Sequence, residues 1–225
     1  MNPCDHDCWY CAYHDENLQL GNLMEYKDRL PREKMMEIVD DLAEMGVKAV
    51  TFSGGGEPLI YPYIAEAVNK LGKSGIKVAT LTNGSHLHED IAEAFAQYGT
   101  WIRVSIDGWD AESYAKIRNV KLTEFDMVIN NMRRFKRFNS SCVLGINYVI
   151  DNQNFSHVLE FSKLMKDVGV NHMKIMGVLI SNDGSESNRY HEEFREIVYK
   201  QIEQAKLLED EKFKIIDHYH EFPER

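Results

Sequence analysis

Cysteine is scarce: there are four in 225 residues, three of them within the eight positions from Cys4 to Cys11. So concentrated a set cannot supply the dispersed pairs of a disulfide framework, and in a reducing compartment it reads as metal-binding or catalytic. Cys142 stands alone beside Val143 and Leu144 and is expected to be an ordinary core cysteine. Long apolar runs are missing too. No stretch of eighteen apolar residues occurs, which excludes a membrane-spanning helix. Met1-Asn2-Pro3 has neither a basic n-region nor an apolar h-region, so no secretion signal is read and a cytoplasmic location is expected. Positive charge is short, with 26 Lys and Arg against 36 Asp and Glu. The resulting net charge of −10 repels phosphate backbones and makes nucleic acid a poor partner. The only basic run, Arg133-Arg134-Phe135-Lys136-Arg137, closes a predicted helix, where cations complement the macrodipole.

What is present is 44% hydrophobic residues, enough for a sizeable core, without linkers or low-complexity tracts. Pro31 opens a helix in which Met35, Ile38, Val39, Leu42 and Met45 recur at helical spacing and Gly46 makes the stop. Strand-like runs cover 47–52, 76–81, 101–106, 142–150 and 173–180, with a further strand candidate over 213–216. Helical patterns cover 61–71, 88–98, 111–118, 123–138, 155–168 and 190–208. Strands and helices alternating at this spacing predict an α/β fold with a parallel sheet and right-handed crossovers. The apolar run Ile175 to Ile180 predicts strands buried on both faces. Residues 12–30 and 181–188 are expected to be loops. The domain expectation is a core over 1–208, with a cluster loop at 4–30, and the start of an extension or linker over 209–225. No strand precedes the cysteines, so the chain reads as a segment of something longer.

Three thiolates spaced as Cys4, Cys8 and Cys11 can hold one face of a metal cluster and leave a metal corner without a protein ligand, open to an exogenous molecule. The strand ends carry residues unlike the strand cores: Gly54, Gly55, Gly56 and Glu57; Thr82 and Asn83; Ser105 and Asp107; Asn147. In a parallel α/β fold these ends face one rim, and consecutive glycines let a ligand lie against the backbone. Taken singly, Thr82-Asn83-Gly84 and Asp107-Gly108-Trp109-Asp110 read equally as turns and helix caps.

Together these residues resemble the radical S-adenosylmethionine (SAM) superfamily. Its CxxxCxΦC signature, with an aromatic at Φ, stands here as Cys4, Cys8, Tyr10 and Cys11; its GGE motif stands as Gly55-Gly56-Glu57, followed by Pro58; and Val104-Ser105-Ile106-Asp107-Gly108 matches a later strand. The resemblance covers roughly Pro3 to Leu208 and implies a partial (β/α)6 TIM-like barrel of parallel strands, of which the first is missing from this sequence. It implies further that Cys4, Cys8 and Cys11 ligate a [4Fe-4S] cluster and that the amine and carboxylate of SAM chelate the fourth iron. Reductive cleavage would then yield a 5′-deoxyadenosyl radical that abstracts hydrogen from a substrate. By the same resemblance the Gly54 to Glu57 backbone holds the methionyl amine, Tyr10 lies near the adenine, and Ser105 and Asn147 bond the ribose or carboxylate. Asn83 or Asp107 would serve equally there, and Asp107 could instead reach the substrate. An electron donor such as flavodoxin or ferredoxin is implied as a partner.

The alternative is a zinc site of Cys4, Cys8, Cys11 and either His6 or His14 in a non-catalytic binding or regulatory protein, which leaves the glycine tract and polar strand ends unexplained. For substrate, the charge balance favours a peptide, protein or small polar metabolite over nucleic acid, with Tyr148, Lys174 and Met176 expected to face the cavity. His218 and His220 would share a strand face and read as a surface or interdomain pair. His6 and His86 read as caps or surface groups, and Trp109 and Tyr114 as helix packing.

Overall fold

From Arg32 onward, amphipathic stretches alternate with β-branched ones, and the chain folds accordingly. The computed structural model describes residues 4–13, 25 and 29–223. In order the elements are α1 Arg32–Glu44, β1 Ala49–Phe52, α2 Ile64–Lys73, β2 Lys77–Thr82, α3 Glu89–Tyr98, β3 Gly99–Ser105, α4 Ala111–Arg118, α5 Thr123–Lys136, β4 Val143–Ile150, α6 Val158–Val168, β5 His172–Gly177, α7 Gly184–Glu192, α8 Arg195–Lys206 and β6 Lys214–His218. None of the described helices is long and apolar enough to cross a membrane.

Among the described residues the strands form one sheet in the order β1-β2-β3-β4-β5-β6, each parallel to its neighbours. Sequential parallel strands joined by right-handed crossovers put the connecting helices on one side of the sheet. This is the layout of a partial TIM-like barrel. Burial alternates as that layout requires. Ile102 and Val104 of β3, Leu144 and Ile146 of β4, and Met173 and Ile175 of β5 are fully buried under the helices. Fully burying each such side chain contributes roughly 1.5–3 kcal/mol. Between them Trp101, Arg103, Ser105, Asn147, Lys174 and Met176 are only half-buried, on the inner face. Burial on both faces, expected from the run at 175–180, therefore holds for the helix side alone, because nothing described covers the other.

Several expectations change with the register. Tyr148 turns to the helix layer, where it stacks on Phe161 of α6 with centroids 4.7 Å apart. Lys174 and Met176, paired with Asn147 and Val149, do face inward. β5 ends at Gly177, and α7 begins inside the stretch expected to be a loop, because the Asp183 carboxylate accepts from the Ser185 amide at 2.9 Å and caps it. The helical pattern over 190–208 belongs to two helices, α7 and α8. They part where Phe194 turns in to stack on Phe155 at 5.1 Å. Beyond residue 208, expected to open an extension, β6 continues the same sheet. Cys142 is buried and Tyr114 fully so, as expected. Trp109 stacks on His157 with centroids 3.7 Å apart. His218 and His220 are exposed, their rings 6.3 Å apart.

Candidate functional site

The cysteine loop lies across the C-terminal ends of β2, β3 and β4 and is tied down at each. At β2, the Asp5 carboxylate accepts from Asn83 Nδ2 at 2.6 Å and pairs with His86 Nε2 at 3.1 Å. Burial pushes this carboxyl up, but the bonds from His86 and Asn83 outweigh it and hold it at about 2. His6, buried beside it, bonds Ser85 Oγ at 3.0 Å and lies edge-on to Tyr114. Desolvation, reinforced by the charge of Arg118, lowers His6 to about 4. At β3 the end of α4 takes part: the Asp7 amide donates to the Arg118 carbonyl at 3.0 Å, one of the carbonyls a helix end leaves unpaired. Asn119, in the left-handed conformation at φ 50°, donates from Nδ2 to Asp7 at 3.1 Å. At β4, Trp9 Nε1 donates to Asp151 at 3.2 Å.

Beneath the loop sits a buried ion pair. Arg118 donates to Asp107, whose same oxygen accepts from the Tyr10 hydroxyl, while the other oxygen accepts from the Val149 amide at 2.8 Å. Both partners are almost wholly enclosed, at 4% and 1% side-chain exposure, so the pair is sealed from water. The charge of Arg118 also acts on the Cys8 thiol. Asp107 is thus a tether joining loop, helix and sheet.

Cys4, Cys8 and Cys11 are free thiols, each half-buried, with the Cys11 amide donating to the Cys8 carbonyl at 3.0 Å in a tight turn. Burial pushes Cys4 up to about 11 and raises Cys8, Arg118 opposing the latter. Such thiols stay protonated until a cation offsets the cost of charging them. Among the described residues the three sulfurs are not gathered within 4.8 Å of one another. Thiolates on one tetrahedral zinc, with bonds of about 2.3 Å, stand about 3.8 Å apart. His6 faces Ser85 and Glu124 instead of completing a zinc shell. His14 lies outside the described residues.

On the rim, Glu57 is buried and its carboxylate fully employed. It accepts from the Leu59 amide at 2.9 Å, Thr82 Oγ1 at 2.5 Å and the Asn83 amide at 2.6 Å. Burial raises its pKa, and the three donors pull it back. The effect is to staple the glycine turn to the end of β2. Gly54, at φ 139°, takes a backbone conformation that side chains rarely adopt, and nothing lies within 4 Å of where its Cβ would be. Ser105 and Asn147 are direct neighbours across β3 and β4. Neither side chain takes part in the bonds that occupy Glu57, Asn83 and Asp107, and both are half-buried on the inner face. Sequence reasoning missed Asp5, Ser85, Arg118 and Asp151. Each looks ordinary locally and acquires its partner only through the fold.

A family model described as the radical SAM superfamily matches residues 1–165 of the chain. The S-adenosylmethionine-dependent nucleotide dehydratase of Flammeovirga pacifica is 27% identical over 212 residues, 92% of this chain and 71% of that protein. The probable GTP 3′,8-cyclase of Methanocaldococcus jannaschii is 29% identical over 170 residues, 75% of this chain and 53% of the cyclase. Among solved structures, SuiB of Streptococcus suis bound to its precursor peptide SuiA superposes with a TM-score of 0.67 at 19% identity, over 95% of this chain and 46% of SuiB. The chain thus spans about half the length of the cyclase and of SuiB.

Proposed function

The chain belongs to the radical SAM superfamily, and from that premise we propose that it holds a [4Fe-4S] cluster on Cys4, Cys8 and Cys11 and starts radical chemistry on a small polar metabolite or a peptide. The cofactors of that family are the cluster and SAM. Together, when bound, they supply one-electron cleavage of the sulfonium C–S bond, releasing methionine and a 5′-deoxyadenosyl radical that abstracts hydrogen; a flavodoxin or ferredoxin would deliver the electron.

The residues of this chain prepare the site. Gly54, Gly55 and Gly56 present backbone to the methionyl amine and carboxylate, and Glu57 acts from behind by fixing that turn against Thr82 and Asn83. Ser105 and Asn147 are in reach of the ribose or carboxylate. Tyr10 offers its ring alone to the adenine, since its hydroxyl is committed to Asp107. The observation that carries this reading is the cysteine loop bonded at once to the β2 end that holds the glycine turn and to the Asp107 corner. The test is anaerobic reconstitution. Iron and sulfide near four each per chain, with 5′-deoxyadenosine formed by the wild type and not by Cys8→Ala, is the expected result. Stoichiometric zinc without charge-transfer absorbance would overturn it.

A further inference from the structure

The inner face of the sheet carries two cations, Arg103 and Lys174, that no carboxylate balances among the described residues. Across the register, Arg103 of β3 is level with Gly145 and His172, and one row nearer the rim Ser105 is level with Asn147 and Lys174. Arg103 lies over the Trp101 ring at 5.3 Å. Gly145 leaves the space in between to His172, whose ring would meet a Cβ there at 2.1 Å. Arg103 Nε and His172 Nε2 are both buried without a hydrogen-bond partner. No described carboxylate pairs with Arg103 or Lys174, although acids outnumber bases in this chain by 36 to 26. No Asp or Glu lies on the inward positions of β3, β4 or β5. Desolvation lowers the pKa of both cations, and for Lys174 the charge of Arg103 adds to it. Half-buried, mutually repelling cations are costly unless an anion joins them.

We propose that Arg103, His172 and Lys174 form a subsite for the phosphate groups of the substrate, which is then a phosphorylated small molecule. Arginine's planar fork and lysine's point charge are complementary phosphate ligands. β3 and β5 stand two strand spacings, about 10 Å, apart, a gap that suits a run of phosphates better than one carboxylate. The position is apt, because Ser105 and Asn147, the residues proposed to meet SAM, form the adjacent row. The net charge of −10 repels a long polyanion outside, while this half-buried patch attracts a single phosphorylated metabolite. The inference rests on the SAM-enzyme reading and deepens it by naming the substrate class.

The test is calorimetric titration of the reconstituted protein with inorganic tripolyphosphate, with cytidine, CTP and a glutamate-rich peptide as comparisons. Tripolyphosphate and CTP should bind, cytidine should not, and Arg103→Met and Lys174→Met should each weaken tripolyphosphate at least tenfold. Arg103→Lys should retain part of the affinity, and circular dichroism would show that each variant is folded. Equal tripolyphosphate affinity in the folded wild type and the double Met variant, no tripolyphosphate binding by the wild type, or tighter binding of the acidic peptide would each overturn the proposal. Iron content and 5′-deoxyadenosine formation, read separately, report on the cluster reading whatever the phosphate result.

Discussion

At the scale of single residues, the buried Asp107–Arg118 pair carries the largest consequences. Removing one member leaves the other charged and enclosed, which costs about 3–5 kcal/mol, whereas replacing both by apolar residues of similar size is often nearly neutral. Asp107→Asn should therefore lower the urea midpoint markedly, and Asp107→Leu with Arg118→Met should recover much of the loss. A single variant as stable as the wild type would show that the pair is open to water. Tyr10→Phe removes one charge-assisted bond and should cost about 1.5–3 kcal/mol by the same measurement. The sequence showed Tyr10 and Asp107 as motif residues but not that they touch. Arg118 looked like any basic residue in a last helical turn. The cysteines were readable because their spacing is local, whereas the bonds of Asp5 to Asn83 and of Trp9 to Asp151 join positions far apart in the chain.

Between elements, two contacts decide packing. Gly72 of α2 faces α3 so closely that a Cβ would lie 2.2 Å from Tyr98 Cγ. Alanine gains about 1 kcal/mol of helix propensity over glycine, but overpacking costs about 1–3 kcal/mol, and here the obstacle is the root of the Tyr98 side chain, which cannot swing away. Gly72→Ala should thus lower the melting temperature, and a rise would mean that α2 and α3 separate easily. The second contact is His191 of α7, buried and bonded to the Val178 carbonyl and to the Tyr219 hydroxyl, each at 3.0 Å. A carbonyl only accepts, so Nε2 carries the proton and Nδ1 accepts from Tyr219 in the neutral ring. Burial depresses its pKa below the usual 6.5. The associated stability is complete above about pH 6.5 and drains away as pH falls toward the depressed value. His191→Gln should flatten that part of the stability profile, and an unchanged slope would assign the acid sensitivity elsewhere. Helix α4 was readable to its ends because Asp110 and Ser113 cap it locally. The α7–α8 break was not, since it follows from Phe194 packing on a distant ring.

For the whole molecule, the arrangement separates what holds the fold from what the cysteines hold. The core lies between the sheet and its helices, and the cysteine loop is fastened to the rim by Asp5, Asp7, Trp9 and Tyr10, none of which is among the proposed cluster ligands. A small metal-dependent domain unfolds when its metal leaves, because the site is its core. Here the opposite is expected. Cys8→Ala should lose iron and charge-transfer absorbance yet keep its far-ultraviolet dichroism and unfold in one cooperative step. Its melting temperature should fall only about 2–4 °C below that of the unloaded wild type, the equivalent of roughly 1 kcal/mol in a chain of this size. The comparison must be with the unloaded protein, since a bound cluster stabilises the folded state by mass action alone. Loss of the cooperative transition in Cys8→Ala would show that the thiols, and not the side chains around them, hold the loop and the strand ends together.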